Sequence, residues 1–488
     1  MDTFVSLGYY FLLPVLFSFL TPYFKKLGNF WLRGSSVFLH FILFLQSVIY
    51  ATMKLPQISE FSIAPPLGIA FIVDRFSILF VLLFTFIGFI TSLYLAWYFK
   101  NETQANESRF YIFFNMLIAG TLGLILSCDI FNVYIFFEIT GICSYVLTAY
   151  KKDKLALEGG IKYLIVGSIA SLLIVFAIMI IYLQIGTVNL GLIAQRFDMM
   201  DPKVAFFVIL MLFIGFGTKA ELFPMNFWVP DVYQGATTQV AGLFSSVVSK
   251  AYMFVFFHLF YLFHLEKNYT IFLMSVAGIT FLVAELTALN QKNILRLFAY
   301  STLGQLGLLF FAFSSNALPV IQGGLFYLVS HSLGKMTIFL ALGILIYTLK
   351  DSKVNIFEKF SSTFLTTVFI ISFLSILGIP PFSGFVGKIL ILEGFAKVHN
   401  YFAIAFILGV SVIEAVYFFR LVAMMIKSKT DKKIIQVSLL NRAILTLLVF
   451  LIILFGVYPA LLTHFTNPAG YALLHPDNYL QFALGVIK

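Results

Sequence analysis

Long apolar stretches recur along almost the whole chain and are separated by short polar segments. A helix that crosses a bilayer needs about 20 mostly apolar residues, and about fourteen stretches reach that length. Because no long polar block separates them, the pattern predicts an all-α polytopic membrane protein with a single membrane domain over 1–488. The predicted spans are 3–23, 29–52, 70–98, 109–127, 130–150, 160–185, 203–225, 238–262, 268–289, 294–313, 320–347, 362–391, 401–426 and 438–462.

The composition agrees with this pattern. Hydrophobic residues make up 61% of the 488 residues and charged residues only 11%, whereas soluble domains carry about 25% charged residues. The N-terminal run has no signal-peptide cleavage site and is predicted to be a retained span. The two cysteines, Cys128 and Cys143, are too few and too deep in apolar sequence for a disulfide framework or a metal site.

The net charge of +10 follows the loops and does not indicate a nucleic-acid site. Lysines and arginines cluster after odd-numbered spans, as in the run Lys151, Lys152 and Lys154, and are scarce after even-numbered spans. By the positive-inside rule, the odd loops are expected to face the cytoplasm and both termini the outer side of the cell membrane.

Six ionisable residues fall in the middle of predicted spans, where a charge costs at least about 2.5 kcal/mol. Two of them lie four residues apart in YLVSHSLGKMTIFL and therefore share one helix face. The six candidates are Glu138, Lys219, Lys250, His331, Lys335 and Lys388.

Each of these residues could instead belong to a structural ion pair or extend toward an interface. Extension toward an interface is the preferred interpretation for Arg75, Lys162 and Arg420, which lie near span ends. Helix packing alone does not require several lysines near the middle of the membrane without acidic residues to pair with them. A desolvated lysine can give up its proton, whereas arginine stays protonated, so the row favours a proton relay.

Further acidic residues are ambiguous on sequence alone, because each is either near a helix end or close enough to a lysine to influence it. Three of the acidic residues are predicted to modulate the row, namely Asp74, Glu221 and Glu414; Glu285 and Glu393 stay open.

Glycine and proline interrupt the seventh and twelfth spans beside Lys219 and Lys388. Interrupted spans in corresponding positions of two halves indicate a transport pathway between inverted repeats, with backbone at each break facing water or protein. The sequence thus predicts a first repeat over 109–262 (spans four to eight), a second over 268–426 (spans nine to thirteen), and breaks in spans seven and twelve.

The segment GTKAELFPMNFWVPDVYQGATTQVAGLFSSVVSKAYMF resembles the signature of the antiporter-like subunits. These are large membrane subunits of respiratory complex I, of Mrp-type sodium/proton antiporters, and of membrane-bound hydrogenase and sulfur-reducing complexes. The resemblance covers spans three to fourteen. GIPPFSGFVGKILI and FYLVSHSLGKMTIFL are most similar to the D-type Mrp subunit and its hydrogenase-type counterpart, whereas PDVYQGA is closer to a complex I subunit.

The resemblance implies a fold of fourteen helices in two inverted five-helix repeats and a role for each matching residue. Glu138 and Lys219 would modulate the first half-channel, Lys250 would bridge toward the centre, and Lys388 would connect to the outer side. His331 and Lys335 would continue the relay between them. Asp74 matches an acidic residue at the start of span three, while Asn226 stands where many relatives have histidine.

The leading hypothesis is therefore a proton-translocating subunit of a multi-subunit membrane complex, with sister antiporter-like subunits as partners and with sodium coupling left open. The chain carries no redox motif, so we expect no cofactor or metal site in it. An oxidoreductase activity using NADH or ferredoxin would belong to partner subunits. The alternatives are a stand-alone transporter for an organic solute and a membrane subunit whose channel is silent.

Overall fold

The computed structural model describes residues 6–61, 64–100, 107–427 and 432–486. Helices dominate it. The first ten are α1 (Tyr9–Leu27), α2 (Asn29–Thr52), α3 (Arg75–Lys100), α4 (Glu107–Leu126), α5 (Ile130–Thr148), α6 (Lys154–Ile185), α7 (Leu190–Arg196), α8 (Pro202–Lys219), α9 (Val229–Gly235) and α10 (Thr238–Leu243). The others are α11 (Ser249–Leu262), α12 (Glu266–Leu289), α13 (Ile294–Phe313), α14 (Leu318–Leu349), α15 (Thr363–Leu377), α16 (Ser383–Lys397), α17 (Tyr401–Ile426), α18 (Leu439–Val457), α19 (Ala460–Leu474) and α20 (Asp477–Ala483).

Four short strands complete the fold. The strands β1 (Gln57–Phe61) and β2 (Ile69–Val73) form an antiparallel hairpin in which Gln57 pairs with Val73. The strands β3 (Phe360–Ser361) and β4 (Lys433–Ile434) pair in parallel. A five-residue π-helix, Phe244–Val248, joins α10 to α11, so that 238–262 forms one continuous helical span.

Within the described residues, twelve helices are long and apolar enough to cross a membrane. They correspond to the predicted spans two to eleven, thirteen and fourteen, so the prediction of an all-α polytopic membrane protein is confirmed. The predicted first span is the helix α1, which holds Pro14 and Pro22 and has Lys25 and Lys26 in its last turn. Residues 3–5 of that predicted span lie outside the described residues.

The structure differs from the sequence prediction at several span boundaries, such as those of spans three and seven, and in one additional helix after the last span. The predicted third span begins at residue 70, but Ile69–Val73 is a strand and α3 begins at Arg75. The predicted seventh span extends to residue 225, but α8 ends at Lys219. Beyond the fourteenth span, α19 was not predicted, because 15 residues with an internal proline are too short to indicate a span.

Both predicted helix breaks are present. In the first half, α8 ends at Lys219 and α9 begins at Val229; in the second, α15 ends at Leu377 and α16 begins at Ser383. Gly378, directly after α15, has a φ of +81°, which closes that helix with a left-handed residue.

Helix packing follows the same scheme in the two halves. In the first, α4 packs on α5, α5 on α6, and α6 on α8 and α9, while α11 returns to α4. In the second, α12 packs on α13, α13 on α14, and α14 on α15 and α16, while α17 returns to α12. The two repeats over 109–262 and 268–426, and their inverted relation, stay a prediction.

Candidate functional site

The Lys219 side chain, which is 1% exposed, lies inside a cage of aromatic rings at the end of α8. Its Nζ donates a hydrogen bond of 2.6 Å to the Tyr145 hydroxyl. The same atom lies 4.3 Å from the Tyr163 ring centroid and 4.4 Å from that of Tyr145. The Phe137 and Tyr252 rings follow at 5.7 and 5.9 Å. Ring faces attract cations, so the cage stabilises an ammonium without an acidic contact.

Two glycines leave room for this cage. A Cβ on Gly167 would lie 2.0 Å from the Tyr145 hydroxyl oxygen and 2.5 Å from Lys219 Nζ. A Cβ on Gly141 would lie 2.9 Å from the same hydroxyl. Neighbouring helices can therefore approach the lysine only because these positions on α5 and α6 have no side chain.

Glu138, on α5, is half-buried and acts on Lys219 through its charge rather than through contact. No ion pair within 4.0 Å joins the two in the described parts of the chain. Tyr145 follows Glu138 by seven residues, which is two helix turns and places both on one face of α5. Tyr145 thus contacts Lys219 and lies on the face of α5 that also carries Glu138.

Lys250 lies at the centre of the molecule and is fully buried in the first turn of α11. Its Nζ donates to the backbone carbonyl of Ser245 in the π-helix. The Ser245 hydroxyl lies 3.0 Å from that of Thr302 on α13, and Ser246 donates to the Ser332 carbonyl on α14 at 2.9 Å. The π-helix therefore connects the first half to the second next to a buried lysine, a common position for such bulges.

His331 and Lys335 lie on one face of α14, as predicted. Lys335 Nζ donates to Ser301 Oγ at 2.7 Å and to the Phe298 carbonyl at 3.4 Å, both on α13. The two His331 ring nitrogens are buried and have no hydrogen-bond partner in the described structure. The charges of Lys250, Lys335 and Lys388 all act on this imidazole, which therefore lies near the three lysines.

Lys388, on α16, forms an ion pair with Glu414 on α17 that is shielded from solvent. Its Nζ lies 2.7 Å from Glu414 Oε2, with side-chain exposures of 7% and 0%. The same ammonium donates to the Leu377 carbonyl at 3.3 Å, at the end of α15. A helix C-terminus favours a cation, so Lys219 and Lys388 each hold their charge at the end of the first half of a broken helix.

A network of side chains extends this ion pair toward α12. The Gln305 amide donates to Glu414 Oε1 and to Glu285 Oε1, both at 2.9 Å. The Tyr417 hydroxyl donates to Glu285 Oε2 at 2.9 Å, and that of Tyr327 donates to Gln305 Oε1 at 2.5 Å. Glu285 is therefore a buried member of the site.

Asp74 lies outside this row and caps α3. Its Oδ1 accepts from the Ser77 backbone N–H at 2.7 Å, and its own N–H donates to Ser77 Oγ at 2.8 Å. The charge of Asp74 acts on His258 of α11, whose ring stacks on Phe254 with centroids 5.5 Å apart. Of the three predicted modulators, Glu414 alone contacts a lysine of the row among the described residues.

Asp231, on the short helix α9 outside the spanning helices, joins the two halves. Lys162 of α6 binds its carboxylate at 2.6 Å and also binds Glu158 at 2.6 Å, so Lys162 is paired and does not merely extend toward an interface. Arg296 of α13 binds the other Asp231 oxygen. Burial would raise the pKa of Asp231, but the hydrogen bonds from Lys162 and Arg296 outweigh it and hold this pKa below its usual value.

Sequence reasoning missed the neutral members of the site and left one acid open. Tyrosine is common at the ends of membrane helices and glutamine carries no charge, so a search for charged residues in the middle of spans does not find Tyr145, Tyr327 or Gln305. The sequence does contain a signal for Glu285. It lies inside a 24-residue span, four residues from its end, without a basic residue in the adjacent turn, which indicates a partner on another helix. Glu393 is exposed and paired with Lys397 at 2.7 Å, as a residue near a helix end can be.

Known proteins with this arrangement were found in sequence and in structure. Residues 127–414 match the family described as NADH:quinone oxidoreductase/Mrp antiporter, TM. The chain belongs to this family. A relative named "Putative antiporter subunit mnhD2" from Staphylococcus aureus (strain MRSA252) is 30% identical over 441 residues, which cover 88% of this chain and 87% of the relative.

Solved structures of the family have the same fold. A chain from the membrane-bound sulfane sulfur reductase, an archaeal respiratory membrane complex, is 31% identical with a TM-score of 0.91, covering 98% of this chain and 99% of its own. A chain of the Mrp complex from Dietzia sp. DQ12-45-1b is 19% identical with a TM-score of 0.87, covering 99% and 100%. This antiporter-like subunit therefore shares its fold with chains of multi-subunit membrane complexes.

Proposed function

We propose that this antiporter-like subunit conducts protons across the membrane along the row of residues Glu138, Lys219, Lys250, His331, Lys335 and Lys388. The observation that carries the proposal is four lysines that are at most 6% exposed within one helical bundle. A charge in the middle of a bilayer costs at least about 2.5 kcal/mol, so four such residues indicate a function.

The hydrogen-bond partners of these lysines suit proton transfer. Lys219 and Lys335 donate to the hydroxyls of Tyr145 and Ser301, and Lys250 donates to a carbonyl. A hydroxyl can donate or accept, so a neutral amine and an ammonium both find a partner there. These three lysines can lose a proton without leaving a contacting carboxylate unpaired.

Charges of neighbouring groups act on the lysines of the row. Glu138 acts on Lys219, Lys335 acts on Lys250, and Glu285 and Glu414 act on Lys335. His331 lies within the fields of the three lysines beyond the cage. A proton that arrives at one group therefore changes the proton affinity of the next.

A cavity with polar lining residues lies near the start of α10 and is a candidate entry for protons. This cavity of about 300 Å³ is lined by Lys151, Gln234, Thr237 and Lys350, residues of odd-numbered loops and their neighbouring helix ends. Thr237 lines the cavity and Ser249 directly precedes Lys250 in the chain. Buried polar atoms of Thr237, Gln239, Ser249 and Ser332 have no protein partner in the described structure. Internal water typically binds such atoms, so we place the inner entry of the pathway here.

The cellular setting is part of the proposal. The similar proteins are subunits of membrane complexes, which supports a place for this chain among other membrane subunits. We propose that these partners include sister antiporter-like subunits and that the transported ions are protons, with or without sodium. The distribution of basic residues supports a cell-membrane location with odd loops in the cytoplasm and both termini outside.

The direct test replaces Lys219 with methionine in the assembled complex. Because Lys219 contacts no carboxylate, Lys219→Met leaves no charge unpaired, and we expect normal assembly but loss of proton movement by about a hundredfold. The measurement is the rate of internal pH change in proteoliposomes driven by a cation gradient or a potassium diffusion potential.

Lys203→Met is the matched control, because Lys203 is exposed at the other end of the same helix. Wild-type proton rates in Lys219→Met and in Lys335→Met would contradict the proposal and leave a silent subunit. Uptake of an organic solute by the chain alone would support the stand-alone transporter instead, although four aromatic rings fill the space around Lys219.

A further inference from the structure

The turn between α8 and α9 holds a buried glutamate in an unfavourable backbone conformation. Glu221 has a φ of +68°, in the left-handed region that residues other than glycine, asparagine and aspartate seldom adopt. Six non-glycine residues among those described have positive φ, and the other five, Lys152, His264, Asn316, Lys350 and His399, are exposed. Glu221 is 3% exposed, so solvation does not explain its presence.

The second half shows which residue this backbone position favours. Glu221 precedes Pro224 by three residues, and Gly378 precedes Pro381 by three; Gly378 has a φ of +81°. Glycine adopts this conformation without a steric cost. A glutamate at the same place in the first half is therefore maintained against a conformational cost, which points to a use for its side chain.

The surroundings of the Glu221 carboxyl point toward Lys250. Its Oε2 is buried without a hydrogen-bond partner in the part of the chain that the structure describes. Lys250 is the charged group whose field acts on it, and no ion pair joins it to Lys219 within those residues. The charge of Glu221 also acts on Tyr163, whose ring lies 4.3 Å from Lys219 Nζ.

In each half, one of an acid and a base comes from the broken helix and the other from the last helix of the predicted repeat. The acid and the base exchange places between the two halves. In the second half the broken helix provides the base, Lys388, and α17 provides the acid, Glu414, at 2.7 Å. In the first half the break provides the acid, Glu221, and α11 provides the base, Lys250. Glu221 and Lys250 interact through their charges without a hydrogen bond between them, and Lys250 donates to the Ser245 carbonyl instead.

We propose that Glu221 is a proton-carrying residue between Lys219 and Lys250, and the counterpart in the first half of the Lys388–Glu414 pair. Because Glu221 contacts neither lysine directly, each transfer passes through an intervening water. The Lys219 ammonium releases its proton to the Glu221 carboxylate, which gives a neutral amine and a carboxylic acid. The acid then transfers a proton to the neutral amine of Lys250, which gives a carboxylate and an ammonium. This inference rests on the proposed function.

Four substitutions at one position separate a proton-carrying role from a structural one. Glu221→Gly reproduces the residue of the second half and relieves the backbone, so assembly and melting temperature should equal or exceed those of the wild type. Asparagine and aspartate both tolerate the left-handed region, but only aspartate ionises. We expect proton rates in proteoliposomes of the intact complex to fall by about a hundredfold in Glu221→Gly, Glu221→Gln and Glu221→Asn.

Glu221→Asp should keep a rate clearly above that of Glu221→Asn, and the exposed control Glu393→Gln should match the wild type. Wild-type rates in Glu221→Gly or Glu221→Gln, while Lys219→Met is inactive, would overturn this inference and leave the proposed function standing. Equal loss in the aspartate and asparagine variants would also overturn it. If Lys219→Met also retained its rate, the proposed function itself would fail.

Discussion

In the first half of the molecule, aromatic rings and a hydroxyl surround the Lys219 ammonium, whereas in the second half a carboxylate pairs with the Lys388 ammonium. Lys219 Nζ lies 4.3 and 4.4 Å from two ring centroids, while Lys388 Nζ lies 2.7 Å from Glu414 Oε2. Lys219 is nevertheless the last residue of α8, and Lys388 donates to the carbonyl of Leu377, the last residue of α15. The two lysines thus lie at similar helix breaks, but different chemistry neutralises their charges.

The two environments differ in what happens when the lysine loses its proton. Desolvated cation–π contacts contribute about 2 kcal/mol and vanish with the charge, leaving only neutral rings. An ion pair instead leaves a buried carboxylate behind, which here is hydrogen-bonded to Gln305 and coupled to Glu285. The cage therefore suits a lysine that changes charge by itself, and the network suits one that changes charge together with its acids.

The largest loss of stability is expected when Glu414, the acid that pairs with Lys388, is replaced. Glu414→Gln leaves the Lys388 ammonium buried without a carboxylate, and breaking such a pair costs about 3–5 kcal/mol. We expect a lower free energy of unfolding for the complex and loss of proton movement. The double variant Glu414→Gln with Lys388→Met, which removes both charges, should regain stability without regaining transport. An unchanged melting temperature in Glu414→Gln would contradict the ion pair and with it the comparison.

A smaller effect is expected in the first half, where one hydroxyl can be removed and the ring kept. Tyr145→Phe deletes the 2.6 Å hydrogen bond to Lys219, and a hydrogen bond to a charged group contributes about 1.5–3 kcal/mol. Thermal unfolding should show that loss, and proteoliposomes should show slower proton movement. Tyr134→Phe, on the same helix with only a 3.4 Å contact from Ser171, is the control. Equal rates in Tyr145→Phe and the wild type would mean that the rings alone hold the ammonium.

Much of this comparison could be predicted from the sequence, because hydropathy and helix breaks are local signals. The spans, the breaks in spans seven and twelve, and the burial of Lys219 and Lys388 all follow from apolar runs and glycine or proline positions. The hairpin strand Ile69–Val73 was mistaken for the start of a span, because a short buried strand and a helix end look alike by hydropathy.

The partners of the lysines could not be predicted, because they come from helices distant in the chain. Lys388 and Glu414 are 26 residues apart, and Gln305 is 109 residues from Glu414. Which of several acids faces a given lysine depends on how helices rotate and cross, and hydropathy does not determine this in a helix that is apolar all round. The groups that surround each lysine therefore depend on tertiary packing, even though the position of the lysine beside a helix break can be predicted from local sequence.

The smallest effect is expected at Asp231, which follows Pro224 by seven residues, as Lys388 follows Pro381. Asp231 binds Lys162 and Arg296 with side-chain exposures of 23%, 40% and 29%, and exposed pairs contribute about 0.2–1 kcal/mol each. Because the pKa of Asp231 in the folded protein is depressed, this stability is present above pH ~4, the usual aspartate pKa, and is lost as pH falls through the folded pKa.

Asp231→Asn should therefore melt at a slightly lower temperature than the wild type at pH 7, and the difference should shrink toward acidic pH. The exposed control Asp198→Asn should melt at the same temperature as the wild type. Proton movement should stay at the wild-type rate; a loss comparable to that in Lys219→Met would show that the seventh residue after the break carries protons in both halves.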